Sequence, residues 1–236
     1  MSLDGQGSAG LLSLSTRERW RAPRAAAIAG ILFSVLLVTS LVLLRHAVPA
    51  DPLEAGAWLE TRADLVKLAL NLVPFSGIAF LWFVGVLRDR LGEREDRLLA
   101  TVFLGSAVLF LAMLFLSAAV AGGLIIAHAA EPERLLGSES FTVARAMTYE
   151  IMNVYAIKMA GVFMIVTSTV VLRTGFIARW LAFAGYGLAA LLLFSGRHLE
   201  GILLVFPLWV FSVSVHILID NLRGVATDDH STRSIP

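Results

Sequence analysis

From Leu98 to Ala127 the chain carries no Asp, Glu, Lys or Arg. A helix crosses the hydrocarbon layer of a bilayer with about 20 apolar residues, so this run exceeds a single crossing and requires tilt or projection beyond the lipid. A water-soluble fold does not accommodate such a stretch, because its buried residues alternate with polar ones at the period of a helix or strand. Further apolar runs accompany it: Ala25 to Leu44, Leu68 to Leu87, Ile151 to Leu172, Trp180 to Gly196 and Gly201 to Ile219. The first is too long for the core of a cleaved secretory signal, which spans about 7–15 residues, and Arg45 with His46 closes it as a helix end. The sequence therefore predicts an all-α fold, a polytopic transmembrane helix bundle of about six spans. Residues 1–24 form an N-terminal tail, 25–219 the membrane domain and 220–236 a polar C-terminal tail expected to lack structure. Composition agrees, with 58% hydrophobic residues, 16% charged and a mean hydropathy of +0.80.

Orientation follows from the Lys and Arg residues near the span ends, which gather on the cytoplasmic side. One side receives Arg17, Arg19, Arg21, Arg24, Arg88, Arg90, Arg94, Arg97, Arg173, Arg179, Arg223 and Arg233. The other receives Arg45, Arg62, Lys67, Arg134, Arg145 and Arg197. The bias predicts that both termini are cytoplasmic and that the chain is a multi-pass protein of the plasma (inner) membrane. Its wealth of Arg, Ala and Leu suggests a bacterial source. A net charge of +1 supplies no concentrated basic face for nucleic acid. The absence of cysteine excludes disulfides, thiol nucleophiles and thiolate metal sites.

Polar residues inside spans are costly and usually face the bundle interior. In the fourth span Glu150, Asn153, Lys158, Gly161 and Ser168 recur near helical spacing and share a stripe. In the second, Lys67, Asn71, Pro74 and Gly77 do the same. Pro74 has no N–H for the carbonyl of Leu70, and freed carbonyls of broken helices bind ions in many transporters. Asn71, Pro74, Glu150, Asn153 and Lys158 are thus the candidates for a substrate or ion pathway, with Asn71 and Lys158 expected to line one polar cavity. The bland alternatives are a packing kink at Pro74 and a Lys158 ammonium tied to a carbonyl. Ser212, His216 and Asp220 share a face of the sixth span at its cytoplasmic end, where a satisfied His is ordinary. His46, His128 and His198 fall at outer helix ends without a metal-ligand spacing, and neither a metal site nor a cofactor is expected. No constellation of acids and His converges as an active site requires, so no catalytic residue is assigned. Small residues (Ala26 with Gly30, Gly122 and Gly123, Ala160 and Gly161, Gly185 with Ala189) permit close helix approach, and the bilayer, a second copy or another membrane protein are the partners to expect.

Between the second and third spans the chain reads Gly85-Val86-Leu87-Arg88-Asp89-Arg90-Leu91-Gly92-Glu93-Arg94. In Gly85, Leu87, Asp89, Arg90, Gly92 and Arg94 this resembles the cytoplasmic loop signature of major facilitator transporters. The resemblance implies that Asp89 caps a helix and pairs with Arg90 to hold one state of a transport cycle. It covers about a dozen residues of the chain. As a whole, the chain resembles six-helix integral membrane families of bacteria that have no established activity. Three function classes remain open on the residues: a non-catalytic scaffold or accessory subunit of a membrane complex, favoured here; a small transporter or channel with a polar pathway along the second and fourth spans; and an intramembrane enzyme.

Overall fold

Each apolar run folds as a helix because, in lipid, backbone N–H and C=O groups have no water to turn to. A computed structural model describes residues 5–49, 56, 58–91, 97–174, 178–195 and 201–232, with side chains for 24–49, 56, 58–88, 97–173, 178–195 and 201–223. Among the described residues all regular structure is helical. The long elements are α1 (Gly5–Ala47), α3 (Ala63–Leu91), α4 (Arg97–Ala130), α7 (Ile157–Thr174), α8 (Arg179–Phe194) and α9 (Val205–Thr232). Two single-turn helices, α2 (Trp58–Thr61) and α5 (Pro132–Leu135), and the longer α6 (Glu139–Glu150) lie between them. A π-helical turn, Ile151–Ala156, joins α6 to α7 without a break.

Among the described residues, five stretches are long and apolar enough to cross a membrane: Arg24–Ala47, Ala63–Arg88, Arg97–Ala130, Glu139–Arg173 and Ile202–Arg223. The run expected as a fifth span, Trp180 to Gly196, becomes the 16-residue α8. At 1.5 Å per residue α8 is about 24 Å long, short of the roughly 30 Å hydrocarbon layer. It nevertheless lies against its neighbours over its full length. The Gly161 backbone of α7 approaches Ala189, Ser168 approaches Gly185, and Ala178 meets His216 of α9. The tails also differ from expectation at the level of the backbone. α1 begins at Gly5, well before Arg24, and α9 continues to Thr232 rather than ending near Ile219. Once a span has nucleated, propagation adds one hydrogen bond per residue, so helix extends past the apolar stretch.

Successive long helices run antiparallel. Ser40 of α1 donates to the carbonyl of Ala69 in α3, and Ser76 of α3 to that of Phe33 in α1. Ser117 of α4 donates to the Thr148 carbonyl just before the π turn. The bundle closes where α1 meets α9: Arg24 Nε donates to Asn221 Oδ1 at 3.2 Å, and Gly30 faces Ser214. Arg24 and Asn221 therefore stand at one end of the bundle. At the other end α2, α5 and the start of α6 cover the tips of α1, α3 and α4 through a separate apolar cluster that includes Trp58, Leu59, Leu124 and Phe141. The outer surface is apolar as well: Ile28, Phe75, Trp82 and Phe183 are each at least 60% exposed, as expected of side chains solvated by lipid.

Candidate functional site

The interior is built of phenylalanine. Phe33 (α1), Phe80 and Phe83 (α3), Phe103 and Phe110 (α4), Phe163 (α7) and Phe206 (α9) are all buried. Their ring centroids lie 4.7–6.4 Å apart, mostly in tilted or edge-to-face pairs. That geometry sets the positive edge of one ring against the negative face of the next. The axis of the bundle is thereby filled by interlocking rings from five helices. A small crevice beside them is lined by apolar residues, among them Leu37, Phe110, Ile157, Leu192, Ile202 and Phe206. Neither Asn71 nor Lys158 lines it.

Most buried hydroxyls are tied to nearby carbonyls. Ser34 donates to Gly30, Ser106 to Phe103, and Ser40, Ser76 and Ser117 reach across to neighbouring helices. Ser168 and Ser214 are fully buried without a hydrogen-bond partner among the described residues, and each rests against a glycine, Gly185 and Gly30. Of the small residues singled out in the sequence, Gly30, Gly161 and Gly185 thus sit at helix contacts, whereas Gly122 and Gly123 face open space.

The polar pathway candidates are distributed as follows. Lys158 is partly buried, and its ammonium donates to the carbonyls of Leu192 (3.2 Å) and Leu193. These are among the last carbonyls of α8, which have no helical N–H to accept from. A cation there also matches the negative end of the helix dipole. Lys158 therefore caps α8 and lets that short helix end within the bundle. Asn71 is exposed on the outer face of α3 and has no hydrogen-bond partner among the described residues. Pro74 is exposed on the same helix, with Gly77 turned inward against Phe115. Asn71 and Lys158 accordingly face different surroundings. Asn153 lies in the π turn and donates to the carbonyl of Tyr149, next to the turn where the ladder widens. Glu150 is partly buried at the junction of α6 and the turn. The backbone of Asp89 and Arg90 belongs to the last turn of α3; their side chains, and the expected turn around Gly92, lie outside the described residues.

At the end of the bundle holding Arg24, His216 Nε2 lies 3.3 Å from the N–H of Ala178 and 3.2 Å from Asp220 Oδ2. Accepting from the first requires a bare nitrogen, and donating to the second a protonated one, so the imidazole serves one contact at a time. At the opposite end, Arg145 is buried, donates to the Pro49 carbonyl at 2.9 Å, and stands 5.7 Å above the Trp58 ring. His46 bonds the carbonyl of Val42. Neither Arg145 nor the phenylalanine set was singled out in the sequence as a functional feature. In α4 the buried Phe103, Ala107, Phe110, Leu114 and Ser117 recur at alternating steps of four and three.

The class this fold defines is an all-α helical bundle with, among the described residues, five helices long and apolar enough to cross a membrane. No family model, curated protein or solved structure matches the chain.

The cap on α8 carries a prediction. Lys158→Met is expected to lower stability by about 1.5–3 kcal/mol, the usual worth of a hydrogen bond to a charged group. Lys158→Arg should retain most of it. Thermal unfolding in mild detergent measures both; a Met variant as stable as the parent would remove the capping role.

Proposed function

We propose that the chain is a non-catalytic scaffold or accessory subunit of a membrane complex, embedded in the plasma (inner) membrane with both termini in the cytoplasm. The observation that carries the reading is the phenylalanine-filled axis, which leaves no polar route through the described part of the bundle. A transporter needs convergent polar groups near mid-membrane. Here Lys158 is occupied with the carbonyls of α8, and Asn71 points away from the interior. The orientation rests on the Arg residues at the end that holds Arg24 and Asn221: Arg88, Arg97, Arg173 and Arg223 bound apolar stretches there and Arg179 opens α8.

A second reading, a small transporter or channel, draws on one observation. The π turn at Ile151–Ala156 lies within the membrane-spanning stretch Glu139–Arg173, and such turns are frequent at functional sites. Affinity purification of the intact chain from its own membranes in mild detergent, followed by mass spectrometry, separates the two. A scaffold brings down another membrane protein in fixed ratio. Recovery of the chain alone, together with solute or ion flux through reconstituted liposomes, would contradict the proposal.

A further inference from the structure

The outer face of α3 differs from the other lipid-facing surfaces in one respect. Asn71 displays a carboxamide there, about four residues inward of Lys67, or roughly 6 Å along the helix. Within hydrocarbon an unpaired amide is unfavourable, because neither its two N–H donors nor its oxygen finds water. The other amide side chains of the described membrane-spanning stretches are both paired, Asn153 with the Tyr149 carbonyl and Asn221 with Arg24. Asn71 has no partner among the described residues. Pro74 on the same helix withholds a further donor from the carbonyl of Leu70.

The residues around Asn71 are ordered. Leu68, Asn71, Phe75, Ile78 and Trp82 follow one another at steps of three, four, three and four, and all are exposed. This is the heptad spacing that keeps a seam turned toward a partner helix at a crossing of about +20°. Residues Val66, Ala69, Val73, Phe80 and Phe83 of the same helix are buried against the bundle, so the seam is a separate face.

We propose that this seam is a self-association surface, and that a second copy of the chain covers it with the two α3 helices parallel across a two-fold axis normal to the membrane. The occupant follows from chemistry. A carboxamide is donor and acceptor at once, so two Asn71 side chains facing each other satisfy one another. A two-fold axis sets each residue opposite its own copy, and both copies enter the membrane in the same orientation. In heptad seams a single Asn is the residue that fixes register and partner number. Phe75 and Trp82, the most exposed large side chains of the seam, supply the contact area. This pairing stands independently of whether a further protein binds elsewhere.

The absence of cysteine makes the test direct. Single cysteines are placed at Leu68, Asn71, Phe75, Ile78 and Trp82 of the full chain, and at Leu109, Phe183 and Leu208 on other exposed faces. Native membranes are then treated with a mild oxidant. Disulfide-linked dimers are expected at the seam, strongest at Asn71 and Ile78, and not at the three controls. In parallel, Asn71→Leu should weaken dimerisation in liposomes by about tenfold, read by energy transfer between labelled copies. Asn71→Gln should keep much of it. Because Asn71 is exposed, the thermal unfolding of the Leu variant reports whether it is folded. Equal cross-linking on all faces, monomers throughout, or cross-links from α3 to a different polypeptide alone would each overturn the proposal.

Discussion

Phe80→Ala is expected to cost about 3–5 kcal/mol of stability, enough to leave much of the protein unfolded in detergent at physiological temperature. Phe80 is the hub of the interior: its ring lies 4.7 Å from Phe33, 5.3 Å from Phe163, 5.5 Å from Phe110, 5.7 Å from Phe206 and 6.3 Å from Phe83. In lipid, association of helices draws on van der Waals contact more than on release of water. Removing a ring that touches five others leaves a void whose lining loses those contacts outright. The comparison is Phe183→Ala, where the ring is 62% exposed on α8 and lipid takes its place. That change should stay within about 0.5 kcal/mol. Denaturant or thermal unfolding followed by tryptophan fluorescence distinguishes them, and equal effects would show that the rings do not hold the bundle together.

Gly30→Val is the second change of large effect, with about 3 kcal/mol lost or α1 displaced from α9. A Cβ at Gly30 would collide with Ser214 Oγ and stand 2.8 Å from Phe83 Cδ2. Neither neighbour yields easily, since both are fully buried. The contact lies where the last helix closes on the first, so the damage concerns the whole bundle. Gly85 serves as the control, with nothing within 4 Å of the added atom. There an alanine is neutral or slightly stabilising, because helix interiors favour Ala over Gly by about 0.5–1 kcal/mol. The mechanism has a compensating test. Ser214 Oγ has no hydrogen-bond partner among the described residues, so Ser214→Ala loses little by itself and removes the closer of the two clashes met by Gly30→Ala. The double variant should be more stable than Gly30→Ala alone when both are melted in the same detergent.

The helices were legible because charge marks their ends. Arg24 and His46 bracket the first span, and Arg88 and Arg97 bound the second and third, close to where the helices turn. The fourth span, read in the sequence as starting at Ile151, begins earlier, because α6 runs through the π turn into α7. The π turn within it carries no residue signature, since any side chain tolerates the small backbone change. The inward face of each helix was harder to read. Hydropathy periodicity loses its meaning when a helix is apolar all round, as α4 is between packed Phe110 and lipid-facing Leu109. The rule that polar residues turn inward then misdirects. It placed Asn71 toward the interior, whereas the Pro74 side of α3 faces outward and Ser76 supplies the inward polar contact. For Lys158, spacing along its own helix was silent about α8, whose last carbonyls supply the partner from more than thirty residues away in the chain. The cost of a short α8 was visible in its length; that a lysine on the neighbouring helix meets it was not.

A scaffold of this kind has a sealed interior. Ser34, Ser76, Ser106 and Ser168 are buried among the helices, and a sulfhydryl replaces each hydroxyl with little change in shape. Single Ser→Cys variants at these positions, with Glu133→Cys on the exposed α5 as the positive control, are treated in native membranes with a small water-soluble thiol reagent. Rapid labelling is expected at position 133 and none at the four interior positions until the protein is denatured. Labelling of the interior positions in the folded protein, at a rate near that of the control, would contradict this and reveal a water-filled path through the bundle.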